Sequence, residues 1–139
     1  LGELMAPGTT FSVHAAREGN KDYYFGQQVR NDISLDFADF KSIQYGSVAP
    51  GAYSLATVFF HEASHTEAFG GLEDPPQNRQ SLELGAPEEF VNNIRRELGL
   101  PQRVDSYAPK SFGDRLGFAF RGRSGSLADK EHIYFPKKD

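Results

Sequence analysis

The sequence predicts an α+β fold, on three observations. Before residue 50 the chain alternates like strands, from Ala52 to Phe69 its apolar spacing turns helical, and beyond Asp105 it becomes rich in glycine and aromatics and returns to short strands. At 139 residues the chain suits one domain with a modest core. Its 12 Phe and 6 Tyr supply bulk for that core. A single domain over residues 1–139 is therefore expected, and the opening Leu1-Gly2-Glu3-Leu4 reads as a piece of a longer protein.

The elements follow in order. Thr9 to Ala15 mixes β-branched, aromatic and small residues as a strand would, and Gly19-Asn20-Lys21-Asp22 forms a turn. Tyr23 to Val29 is expected as a second strand, and residues 33–37 alternate like a half-buried third. After Pro50-Gly51, the run from Ala52 to Phe69 holds no Pro or Gly, and Gly70-Gly71 closes it as a helix C-terminus requires. A polar loop carries Pro75-Pro76, and a second helix is expected to end at Leu98, before Gly99 and Pro101. Leu116 to Arg121 and His132 to Phe135 read as strands of a short, irregular β region. The N-terminal strands are expected to pack on the first long helix.

Composition removes several functions. A net charge of −4 with scattered Lys and Arg argues against a nucleic-acid partner. No apolar run approaches the ~20 residues needed to span a bilayer, so no membrane insertion is expected. The absence of cysteine excludes disulfides and thiolate zinc sites.

What remains is chemistry on the first helix, where His61-Glu62-Ala63-Ser64-His65 stands. Residues four apart lie about 40° apart around a helix axis, so two imidazoles at that spacing can grip one metal ion. Glu62 is offset by about 100° and flanks the metal without being forced onto it. There it can take a proton from water whose pKa zinc lowers to about 7. Without a metal, burying two imidazoles and a carboxylate on one apolar face is costly. One zinc ion held by His61 and His65, with Glu62 as general base, is the expectation.

A catalytic zinc usually takes a third protein ligand and keeps one position open. Phe90, Val91, Ile94 and Leu98 form a stripe on the second helix, and Glu83 projects within it if the helix is continuous. Glu88 and Glu89 point away from the stripe and suit the positive end of the helix dipole. Pro87 would clash with the Glu83 carbonyl in a continuous helix, which keeps Glu88 and Glu89 in contention. Glu73, Asp74 and His132 are further candidates, and Glu83 stands first. A metzincin pattern is not met, since Ala68 and Gly71 occupy its later positions.

Two segments resemble a known group. Phe59-Phe60-His61-Glu62-Ala63-Ser64-His65 and Asn93-Ile94-Arg95-Arg96-Glu97-Leu98-Gly99-Leu100-Pro101-Gln102-Arg103 look like the small zincin metallopeptidase domains at the C-termini of bacterial Rhs-type polymorphic toxins and secreted effectors. That resemblance implies a gluzincin-like site with Glu83 as ligand, proteolysis, and secretion or delivery into a target cell. The partners it implies are a protein or peptide substrate and an immunity or inhibitor protein.

Tyr107 is a candidate hydrogen-bond donor to the oxyanion of the tetrahedral intermediate, against a plain reading as a half-buried tyrosine. Arg103 either orients a carboxylate network or substrate, or caps the preceding helix. His14 reads as an ordinary strand residue, and His132 as structural or an oxyanion donor. The expected function is a zinc metallopeptidase. A zinc amidase acting on peptidoglycan or another non-protein amide, and a non-catalytic module stabilised by zinc, are the competing readings.

Overall fold

A computed structural model describes residues 11–15 and 20–138, and its architecture is α+β. Strands β1 (Ser12–Ala15), β2 (Gly26–Val29) and β3 (Asp32–Leu35) form a first sheet in the order β1-β3-β2, with β1 parallel and β2 antiparallel to β3. Residues 9, 10 and 19 of the expected first strand and turn lie outside the described residues. The strand expected over 33–37 stops at Leu35, because the Asp36 side chain accepts a hydrogen bond from Ala38 N and starts a short helix, α1 (Phe37–Lys41).

The helix carrying the motif, α2, runs Leu55–Ser64. Ser54 and Thr57 start it with a reciprocal capping box, so the helical run begins three residues later than its composition suggests. His65 is its C-cap and keeps right-handed helical angles, which preserves the one-turn relation to His61. A separate 3₁₀ turn, Glu67–Phe69, completes the apolar run, and Gly70 at φ 102° and Gly71 at φ 63° reverse the chain. Helix α3 (Ala86–Glu97) starts with Pro87 in its first turn.

The second sheet holds β4 (Arg103–Val104), β5 (Lys110–Phe112), β6 (Arg115–Arg121) and β7 (Lys130–Pro136). β7 pairs along all of β6, and β4 and β5 pair with β6 in turn, all antiparallel. The expected irregular β region is thus a regular four-stranded sheet.

One core joins the sheets to α2. It includes Phe25, Ile33 and Leu35 from the first sheet, Val58 and Ala63 from α2, and Phe118, Phe120, Ile133 and Phe135 from the second. Phe25 and Phe135 meet edge to face at 4.8 Å. The first sheet reaches α2 through Gly26: a Cβ there would lie 2.8 Å from Val58 Cγ1 and 3.1 Å from Glu62 Cγ. Only a residue without a side chain lets β2 lie so close beside the motif.

Helix α3 corrects the expected apolar stripe. Its buried residues are Pro87, Glu88, Val91, Asn92 and Arg95, whereas Leu98 is 67% exposed. Charged groups occupy the buried face because they satisfy one another, a possibility that hydrophobic periodicity does not register.

Candidate metal centre

His61 and His65 project from the last turn of α2 with ring centroids 5.1 Å apart. Beyond the Gly70-Gly71 reversal the chain runs back beside that turn, with Leu72 N donating to Ser64 O at 2.8 Å. Two residues later Asp74 arrives opposite the imidazoles. Its Oδ1 is 3.2 Å from His61 Nε2 and its Oδ2 is 3.3 Å from His65 Nε2. The ligand atoms of His61, His65 and Asp74 all lie within 4.8 Å of one another.

Each imidazole is held by its other nitrogen. His61 Nδ1 is 2.6 Å from Glu88 Oε2, and His65 Nδ1 is 2.8 Å from the carbonyl of Leu72. A carbonyl can only accept, so His65 Nδ1 carries a proton and Nε2 is the nitrogen left for a metal. The ionised Glu88 assigns His61 the same way. Asp74 Oδ1 is buried without a hydrogen-bond partner, although His61 Nε2 lies near it. Two Nε2 atoms and a carboxylate oxygen within 4.8 Å of one another form a donor set that suits zinc once the imidazoles release their Nε2 protons.

The carboxylates around the cluster also set its protonation. Burial opposes protonation of His61, but the Asp74 and Glu88 carboxylates outweigh it and raise its pKa to about 10. Burial would raise Asp74, and the two histidines instead hold it far below the usual carboxylate range. Glu62 is shifted upward, chiefly by burial, with the histidines pulling the other way. Among the described residues no hydrogen bond or ion pair engages its carboxylate, which leaves it free to handle a proton.

Behind His61 lies a charged cluster. Glu88 is 2% exposed, and its Oε1 accepts from Arg95 Nη1 at 3.0 Å, with Arg103 Nη1 at 3.4 Å. Burial alone would raise Glu88; Arg103, His61 and Arg95 hold it well below the ordinary value. Arg95 is pinned further by the Ala52 carbonyl at 2.7 Å and Asn92 Oδ1 at 2.9 Å.

The expected ligand Glu83 is not brought to this cluster. Its side chain is 45% exposed and pairs with Arg79 at 3.2 Å. Helix α3 begins at Ala86, so Glu83 sits in the preceding turn and its alignment with a helical stripe never arises. The Glu83 carbonyl has a different use, accepting from Tyr107 N at 2.8 Å. Glu88 bonds His61 without joining the cluster, and Glu89 is exposed. Glu73 lies on the groove without joining the cluster. His132 stacks on Tyr134 and meets Phe112 on the second sheet. Exposed His14 pairs with Asp32 at 3.6 Å.

Tyr107 does reach the site. Its ring stacks on His61, with centroids 5.9 Å apart and planes 22° apart. Burial, then the Asp74 and Glu62 charges, shift its hydroxyl upward, so it stays protonated and able to donate. Arg103 holds the Tyr107 carbonyl and neighbours Glu88, which is the carboxylate-network role and not a helix cap.

A groove of about 390 Å³ runs over Glu62, His65, Asp74 and Tyr107, and residues 26–28 of β2 also line it. A second cavity of about 200 Å³, walled by Phe25, Tyr53, Phe118 and other rings, extends from Glu62 toward Arg103. No family model, curated protein or solved structure matches this chain.

Proposed function

We propose that this domain is a zinc-dependent metallopeptidase, holding one zinc ion with His61, His65 and Asp74. The observation that carries the proposal is the meeting of three ligand atoms beside a half-buried, unengaged glutamate on a groove. A zinc ion bound there supplies Lewis acidity, polarising a carbonyl and making water a nucleophile near neutral pH.

The chain's own residues supply the rest. Glu62 takes the proton of the attacking water and passes it to the leaving amine, a role its upward-shifted pKa suits. The Tyr107 hydroxyl donates to the oxygen on which negative charge develops. β2 is an outer strand of its sheet, and an extended peptide in the groove can pair with its main chain. That supports a polypeptide substrate over other amides. The likeness to toxin and effector domains extends the proposal to action after delivery into a target cell, with an immunity or inhibitor protein as partner.

The reading with a purely structural zinc predicts a closed site of four protein ligands. A cluster of three ligands, two of which, His65 and Asp74, line a groove, favours catalysis instead. Glu62→Gln is expected to bind zinc stoichiometrically while hydrolysis of casein or a peptide library falls by about 10²- to 10⁴-fold. Undiminished turnover in that variant would refute the mechanism, and failure of the native protein to bind added zinc would refute the metal centre.

A further inference from the structure

Arg103 touches both sides of the candidate centre. It is 4% exposed, and one side chain grips its backbone twice: Asn92 Nδ2 donates to Arg103 O at 2.9 Å, and Arg103 N donates to Asn92 Oδ1 at 2.8 Å. Its guanidinium lies 3.8 Å from the centroid of the Phe118 ring. From that fixed seat Nη1 is 3.4 Å from Glu88 Oε1, while Nη2 donates to the carbonyls of Ser106 at 3.3 Å and Tyr107 at 2.5 Å.

Both routes end on the same imidazole. Through Glu88 the guanidinium bears on His61 Nδ1, and through the Tyr107 backbone it bears on the ring that stacks against His61. Arg95 provides a built-in contrast. It shares Glu88 but otherwise bonds Ala52 and Asn92, and among the described residues no hydrogen bond takes it directly to the segment holding Tyr107.

We propose that Arg103 is a positioning residue that couples the orientation of the ligand His61 to the placement of Tyr107. The proposal rests on the metallopeptidase reading for its catalytic half. Its physical basis is the planar fork of the guanidinium, which pairs with a carboxylate on one arm and donates to two carbonyls from the other. A lysine ammonium in the same place is a point charge that cannot span all three acceptors.

The experiment is a pair of double-mutant cycles on the zinc-loaded protein, with zinc affinity measured by chelator competition and hydrolysis on one cleaved peptide. Arg103→Lys is expected to weaken zinc binding by about tenfold or more, the scale of lost support to a ligand. In that background Tyr107→Phe should cost far less turnover than in the native protein, because its ring is already displaced. Arg95→Lys should weaken zinc yet leave the full Tyr107→Phe penalty. Independent, additive effects of Arg103→Lys and Tyr107→Phe overturn the proposal. Should Arg103→Lys lose its cooperative thermal transition, Phe118→Leu removes the ring beneath the guanidinium while keeping its charge. That variant must show the same non-additivity with Tyr107→Phe, at smaller size, or the proposal fails. If the native zinc-loaded protein cleaves nothing, the peptidase reading falls separately. Arg103 is then judged by zinc affinity and by the Tyr107 ring signals in NMR spectra of Arg103→Lys, and no change in either overturns it.

Discussion

His61 and His65 come from one turn of one helix, yet they stand in different surroundings. His61 leans on an ionised carboxylate that is itself enclosed by two arginines, whereas His65 leans on a neutral backbone carbonyl at the lip of the groove. Their shared partner Asp74 keeps 26% of its side chain exposed, against 3% for Glu88. The contrast separates an enclosed inner wall from an outer lip that meets solvent. Support on the inner wall depends on long-range charge pairing, and support on the lip depends on a local chain reversal.

Breaking the lip has the largest expected effect. Asp74→Ala removes the acid that the two Nε2 atoms share and should abolish stoichiometric zinc, read by elemental analysis after dialysis. On the inner wall Arg95→Leu leaves Glu88 short of a buried partner and should cost about 3–5 kcal/mol of stability in denaturant titrations. Glu88→Gln keeps the shape of the wall but weakens its hold on His61. Zinc affinity should fall by about 10- to 100-fold in chelator competition.

Acid sharpens the same comparison. Glu88 has a folded pKa well below its ordinary 4.5, so its contribution to stability is complete above that value and is lost as the pH falls beneath it. Thermal midpoints of the native protein should therefore drop below pH 4.5 more steeply than those of Glu88→Gln. The smallest effect belongs to the acid that the helical pattern favoured. Glu83→Ala should leave zinc content unchanged and shift stability by no more than about 0.5 kcal/mol, since its pair with Arg79 is exposed. Loss of zinc from Glu83→Ala together with its retention in Asp74→Ala would reverse the ligand assignment.

The α+β class, the helix bearing the motif and the two long strands of the second sheet were legible in the sequence because each rests on local periodicity and turn chemistry, whereas the helix stops at Ser64 and not at the expected Gly70-Gly71, which closes a separate 3₁₀ turn. The pairing of His61 and His65 was legible for the same reason, since one helical turn brings residues four apart together. Glu62 and Tyr107 were named from residue type and position, and the structure brings both to the groove.

What the tertiary structure decided was the third ligand candidate and everything behind His61. Asp74 reaches the cluster through the backbone reversal at Gly70-Gly71, a path that leaves no periodic signal in the chain. Glu88 and Arg95 occupy the buried face of α3 because they pair with each other, and His61 and Arg103 from other elements give the Glu88 carboxylate its remaining partners. Hydrophobic patterning assigns such residues to solvent, because the desolvation cost of a charge is offset only by partners whose proximity the fold creates.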